Sequence, residues 1–330
     1  MSASGLILPA HWLFNAGMLG LLQVLEVEGG IEPIQRKLLL PGGAVNGKRL
    51  YAVLRNALRR PAGLPKEIEG LRMLHWWYIQ HEVRLNGPAR VNEKAPFTSS
   101  EGKTYYGITG RLFGNNGDYQ NLFHHSDREK VETFAYRFGE SEIFQVERGT
   151  ICPISGLRDF QLVEVEFRWL KWIFPTFSKF PNAFRHGSEK GTLLLSKPAL
   201  YSLLFHHFAL TSISKQQVFI NAPSFEVMYH LNRFLRAAFG SSLQPQELLA
   251  VSMLHYTLRI QRMLSAWTYQ NIELITKQQD KVESFTLPVD VARLLVDPHV
   301  ARLLSRIRDS EVLRLVLARR FAEIEPVSYT

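Results

Sequence analysis

The chain has 330 residues, about two domains' worth at roughly 100–200 residues each. Apolar residues make up 46% and charged residues 21%, which excludes a disordered, collagenous or low-complexity chain. Lys and Arg number 39 against 30 Asp and Glu, a net charge of +9 that fits either a polyanionic partner or simple solubility.

The most apolar early stretch, Trp12 to Val27, carries Asn15, Gln23 and Glu26, so neither a membrane span nor a signal peptide is expected and the expected compartment is the cytoplasm. Residues 11–27 read as an apolar helix in which Gly17 and Gly20 allow another backbone to approach closely. Residues 33–66 then contain Arg36, Lys37, Lys48, Arg49, Arg55, Arg59, Arg60 and Lys66 with no acid. Pro41-Gly42-Gly43 and Asn46-Gly47 mark turns in this window. Leu50, Val53, Leu54, Ala57 and Leu58 recur at helical spacing, which predicts an amphipathic helix over 48–60. Arg55 and Arg59 stack on one flank of it, and phosphates are the natural counter-charge for such a pair.

Residues 67–84 read as an aromatic-rich helix, 86–103 as loop and Thr104 to Phe113 as a strand. Gly114 to Asp118 is a turn, and Ser126-Asp127 caps a helix reaching about Phe138. Phe160 to Phe167 alternates as a strand does. Beyond Leu193 the pattern is helical, with segments near 197–210, 224–239, 244–276, 288–295 and 298–323. The predicted class is α+β: a mixed α/β N-terminal portion, residues 1–223, binding nucleic acid, and a helical C-terminal bundle, residues 224–330.

The common nucleotide-binding, zinc-protease and serine-hydrolase signatures are missing from the sequence. His124-His125 with Asp127 reads as a surface pair rather than a ligand set. His206-His207, between Phe205 and Phe208, reads as hydrogen-bonded core imidazole. Cys152, the one cysteine, excludes a disulfide or tetrathiolate site and has no activating neighbour, so a buried inert thiol is expected. No catalytic residue and no metal ligand set is assigned.

Three stretches carry a family resemblance: Trp12 to Glu26, Phe180-Pro181-Asn182-Ala183-Phe184, and Asn221-Ala222-Pro223-Ser224-Phe225-Glu226-Val227. In order and approximate spacing they resemble the large subunits of type I CRISPR interference complexes (Cascade), in particular the type I-B branch. Members of that branch often carry two Cys-x-x-Cys pairs that bind zinc. Here the counterparts are Cys152-Pro153-Ile154-Ser155-Gly156 and Ser196-Lys197-Pro198-Ala199. One thiolate cannot hold a four-ligand zinc, so the resemblance implies a degenerate knuckle near 152–199 without metal, packed instead around Leu193 to Leu204. No cofactor is expected.

The resemblance further implies a non-catalytic role beside a guide RNA and the backbone and 5′-handle-binding subunits of such a complex. A small subunit is either a separate partner or represented by the helical third. The subunit would probe double-stranded target DNA for a short flanking motif, help open it and dock a helicase-nuclease or a transposition adaptor. Arg36, Lys37, Lys48, Arg49, Arg55, Arg59 and Arg60 are the candidates for contacting DNA backbone or RNA. Asn115, Asn116, Gln120 and Asn121, and separately Lys215, Gln216 and Gln217 at a hairpin tip after Ser214, are candidates for reading the motif or wedging the duplex. Ordinary solvent turns account for both groups equally well. The rival reading is a stand-alone metal-dependent nuclease using Asp118, His124, His125 and Asp127.

Overall fold

The structure is a computed structural model that describes residues 5–29, 34–59, 96–98, 104–106, 149–160, 162–166, 192–203, 205–213, 216–237, 245–255, 272–278, 281–307 and 310–324. In chain order these form β1 (Leu6–Ile7), α1 (Trp12–Gly29), a π-turn (Ile34–Leu38), β2 (Val45–Asn46) and α2 (Gly47–Arg59). Next come β3 (Pro96–Thr98), β4 (Thr104–Tyr106), β5 (Thr150–Ile151), β6 (Arg158–Asp159), β7 (Val163–Glu166) and β8 (Thr192–Leu195). They are followed by α3 (Lys197–Leu203), α4 (His206–Ala209), β9 (Thr211–Ile213), β10 (Gln216–Asn221), α5 (Phe225–Ala237) and α6 (Pro245–His255). The chain closes with β11 (Glu273–Gln278), β12 (Lys281–Thr286), α7 (Val289–Leu295), α8 (Pro298–Ile307), α9 (Ser310–Leu317) and a 3-10 turn (Phe321–Glu323). The protein is α+β.

The chain divides into two compact units, Met1–Ile7 with Asn46–Tyr201, and Leu8–Val45 with Ser202–Thr330. The units are interleaved along the chain, whereas the sequence reading places one boundary between 223 and 224.

In the first unit, the Asn46 side chain accepts the Arg49 N–H at 3.0 Å and so caps α2, whose Leu50 is fully buried while Lys48 and Arg49 are exposed. β3 and β4 pair antiparallel from Pro96↔Tyr106 to Thr98↔Thr104, so part of the span expected as loop is a strand. β7 and β8 pair from Val163↔Leu195 to Glu166↔Thr192. Among the described residues, the strand expected over 160–167 is seen at Val163–Glu166, and its partner, Thr192–Leu195, immediately precedes the helix expected from about 197.

The second unit is built on α1, whose residues Leu13 to Leu22 are buried on every side, as an all-round apolar helix requires. The glycine expectation holds. A Cβ on Gly17 would lie 2.5 Å from the Ser202 carbonyl oxygen, and one on Gly20 would overlap the Phe205 carbonyl oxygen. The backbone around α4 therefore lies directly on α1, and Ser202 Oγ donates to Met18 Sδ at 3.2 Å. The buried His206 ring meets the Leu203 carbonyl at 2.8 Å, the core role expected of it.

β9 to β12 form one antiparallel sheet in the order β12-β11-β10-β9. Within a last third read as mostly helical, this corrects the helical reading of residues 273–276. Residues 244–276 hold a helix over Pro245–His255, while Glu273–Gln278 is a strand hairpinned to Lys281–Thr286. Asn232, fully buried on α5, fastens that helix to β10 by accepting the Ile220 N–H at 2.8 Å and donating to the Ile220 carbonyl at 2.7 Å. α5 itself starts at a tight junction. The Phe225 N–H donates to the Gly43 carbonyl at 2.8 Å, and Gly43, at φ +86°, has no room for a Cβ beside the Ser224 hydroxyl.

Two outcomes follow from this packing. Gly20→Ala forces a methyl group into a main-chain carbonyl and lowers stability by about 3 kcal/mol, the upper end for overpacking, whereas the exposed Arg306→Ala changes it by under ~0.5 kcal/mol. Denaturant titration separates the two, and equal values would mean that α1 does not need the bare backbone. Burial lowers the pKa of His11, whose Nδ1 accepts the Leu13 N–H at 3.3 Å, from 6.5 to about 4. The native state thus prefers the neutral ring. The contribution from His11 is complete above pH ~6.5 and is lost as pH falls toward 4, so His11→Asn flattens the acid limb of a stability-against-pH curve.

Candidate nucleic-acid interface

α2 carries the central part of the basic window, Lys48 to Arg59. Its exposed start presents Lys48 and Arg49, and the backbone carries Arg55 and Arg59 on the same helix four residues apart. With no acid in its first turn, the helix N-terminus adds its own partial positive charge to these cations. Arg36 and Lys37 sit on the π-turn Ile34–Leu38, in the other unit, where Lys37 is exposed. Arg60 lies outside the described residues, as do Asn115, Asn116, Gln120, Asn121, Lys215, Asp118, His124, His125 and Asp127.

Gln216 and Gln217 open β10, directly after Ser214 and Lys215, which lie outside the described residues. Both belong to β10, half-buried and paired with Ile213 and Ser212 of β9, and the element before them is a strand rather than a helix.

The clearest geometric result is the junction between the turn at 152–157 and the start of α3. β5 and β6 pair Thr150↔Asp159 and Ile151↔Arg158, and the connecting turn folds back on itself through Cys152 N–H to Leu157 O at 2.8 Å and Gly156 N–H to Cys152 O at 2.9 Å. Gly156 takes φ +66°, a left-handed conformation that glycine allows at no steric cost. Ser155 Oγ lies 3.3 Å from Ser196 Oγ, both side chains buried. Each oxygen also accepts a main-chain N–H: Leu157 at 3.2 Å for Ser155, Ala199 at 3.3 Å for Ser196. The two stretches aligned as halves of one knuckle thus meet, 41 residues apart in the chain.

The donor set does not suit zinc. It offers one thiol, two neutral hydroxyls already engaged with each other and with N–H groups, and a methyl at Ala199. Cys152 is free and fully enclosed, and Leu195, Ala199 and Leu200, next to Ser196 in the chain, are buried in the same unit. Hydrophobic burial and a hydroxyl pair thus join the two turns. Among the described residues, no group of three or more His, Cys, Asp or Glu side chains is gathered as metal ligands, and no helix is long and apolar enough to cross a membrane.

The remaining polar clusters are paired braces. Tyr229 donates its hydroxyl to Glu26 at 2.5 Å, and Arg233 approaches the other carboxylate oxygen at 3.4 Å. Burial, then the Glu26 hydrogen bond, pushes the Tyr229 phenol well above its usual range. Arg236 reaches Gln23 at 2.5 Å and the Phe208 carbonyl. A hollow of about 490 Å³ beside α6 and α9 is lined by Glu247, Glu311, Arg314 and Arg320, and Arg314 pairs with both carboxylates.

Two motif residues also meet: Asn15 donates to Asn221 at 2.8 Å, and Asn221 donates to Glu273 at 3.2 Å. Their amides are joined to each other, which gives these residues a structural role at the ends of α1 and β10. Sequence reasoning misses one exposed group. Phe160, placed in a strand by its alternation, stands 77% exposed just past β6. No family model, curated protein or solved structure matches the chain.

The knuckle geometry has a direct consequence. The variant Ser155→Cys, Ser196→Cys, Ala199→Cys, with the native Cys152, is expected to purify with one tightly held zinc per chain, whereas the wild type holds a sub-stoichiometric amount. Elemental analysis of the folded proteins decides it. A folded, zinc-free variant would mean that the four positions do not converge.

Proposed function

We propose that the chain is a large subunit of an RNA-guided DNA-interference complex of the type I-B kind, with no chemistry of its own. Its role is to recognise the motif flanking a target in duplex DNA, help open the duplex and dock an effector. The observation that carries this reading is the meeting of Ser155 with Ser196, which joins two separated turns that only the family resemblance relates. The capped, acid-free helix α2 supports it from a second direction, since a subunit of such a complex needs a cationic surface that tracks backbone while guide pairing reads sequence. On this reading Lys48, Arg49, Arg55 and Arg59 meet phosphate or guide RNA, and hydrogen-bonding side chains elsewhere read the few base pairs of the motif.

The test is purification and binding. Expressed with its neighbouring genes, the chain is expected to co-purify stoichiometrically with a guide RNA and several protein subunits. A chain that stays alone and cuts nucleic acid in magnesium or manganese instead supports the nuclease reading. Within the complex, replacing Arg55, Arg59 and Arg60 together by Ala weakens DNA binding for all sequences alike. It also flattens the slope of log affinity against log salt by up to ~3, at about 0.9 for each phosphate no longer neutralised. An unchanged slope would remove α2 from the DNA-tracking surface.

A further inference from the structure

We infer that Phe160 and Arg158, on the outer side of the β5–β6 ribbon, form a stacking site for one unpaired nucleobase; this rests on the nucleic-acid reading given above. Along 158–160 the chain alternates exposed, buried, exposed, so that Arg158 and Phe160 face solvent while Asp159 is turned inward at 5% exposure. Phe160, at 77% exposed, is the most exposed large apolar side chain among the described residues. A phenyl ring this open to water keeps both faces available, and covering one of them removes apolar surface from water.

Size and charge select the cover. A side chain of this kind buries about 150–250 Å², whereas a stable protein interface takes roughly 800 Å² from each partner. With Ile151, 53% exposed and paired opposite Arg158, the apolar patch remains far below that size. It matches the face of one base, and base–aromatic stacking is tolerant of sequence because every base has a π-face.

Arg158 supplies the complementary charge. Its Nη1 donates to the Gly149 carbonyl at 3.0 Å, which orients the guanidinium while its remaining N–H groups stay on the exposed side for a phosphate or a second base. No carboxylate of the ribbon competes on that face, since Asp159 is its one acid and is buried.

The ribbon is also rigid, which keeps the ordering cost of binding low. Gly149 lies so close to the Asp159 carbonyl that no Cβ fits, and the adjoining turn is closed by the Cys152–Leu157 hydrogen bond and the Ser155–Ser196 pair. In a complex that opens duplex DNA, the unpaired base comes from a separated strand.

The experiment uses the full-length chain, a fluorescent thymidine-only strand of about twenty nucleotides and a duplex of the same length. Phe160→Ala is expected to weaken single-strand binding by about five- to a hundredfold, with Phe160→Trp near wild type and the duplex affinity and salt slope unchanged. In wild type, photocrosslinking of a 5-iodouridine-substituted strand, mapped by mass spectrometry, is expected to label the Ile151–Phe160 ribbon. Unchanged single-strand affinity in Phe160→Ala, with duplex binding intact, overturns the stacking site alone. Absence of binding to either probe overturns it together with the nucleic-acid reading. Release of the chain from its protein partners, with single-strand affinity untouched, makes Phe160 a protein-facing residue and overturns the inference as well.

Discussion

The second unit depends on a single steric condition: two glycines one turn apart on α1 leave its backbone bare where Ser202, Leu203 and Phe205 lie against it. Dispersion falls off so steeply that a gap of an ångström forfeits a quarter to a half of each atomic attraction. The bare backbone therefore sets how deeply α4 sits, and the sheet and α5 are arranged around that pair. The Glu26, Tyr229, Arg233 and Arg236 network lies at the far end of α1 and fixes α5 against it. Those polar groups orient helices that the glycines bring close, since hydrogen bonds specify geometry more than they add net stability.

Signals are legible in the sequence to the extent that they are local. The apolar helix at 11–27, the basic helix at 48–60, the Pro41-Gly42-Gly43 turn and the buried thiol all follow from spacing and residue type, and each recurs in the fold. The β11–β12 hairpin is not legible. Glu273 to Gln278 contains only two fully apolar positions, Leu274 and Ile275, and these are adjacent, so neither the period of a helix nor that of a strand is expressed. Pairing with β10 decides its conformation, and pairing is a tertiary fact. Phe160 misleads for a related reason: its alternation with Leu162 looks like a strand, yet the paired strand starts at Val163. Of the site, the cationic helix is readable from charge, while the join of Ser155 to Ser196 requires an alignment of two turns that no periodicity reveals.

The Ser155–Ser196 junction is held by weak means. A structural zinc joins its turns through four strong bonds that also lower the pKa of the thiols. Two buried hydroxyls, each accepting one N–H and facing each other, supply direction but little energy, so here the junction relies on the apolar side chains beside it. Its integrity is exposed to anything that loosens the packing around Leu195 and Leu200.

Interleaving of the two units has a consequence for biosynthesis. Met18 and the Ser202 that covers it are 184 residues apart, so α1 leaves the ribosome long before its cover exists. At ~5–20 residues per second that interval is roughly ten to forty seconds, far longer than the microseconds in which an apolar helix forms or collapses on its neighbours. Throughout it, a helix apolar on every face has nothing of its own unit to sit against except residues up to Val45. The nascent chain must spend that time shielded by a chaperone or by the residues of the other unit as they emerge, and the yield of folded protein is set by how well that shielding competes with aggregation.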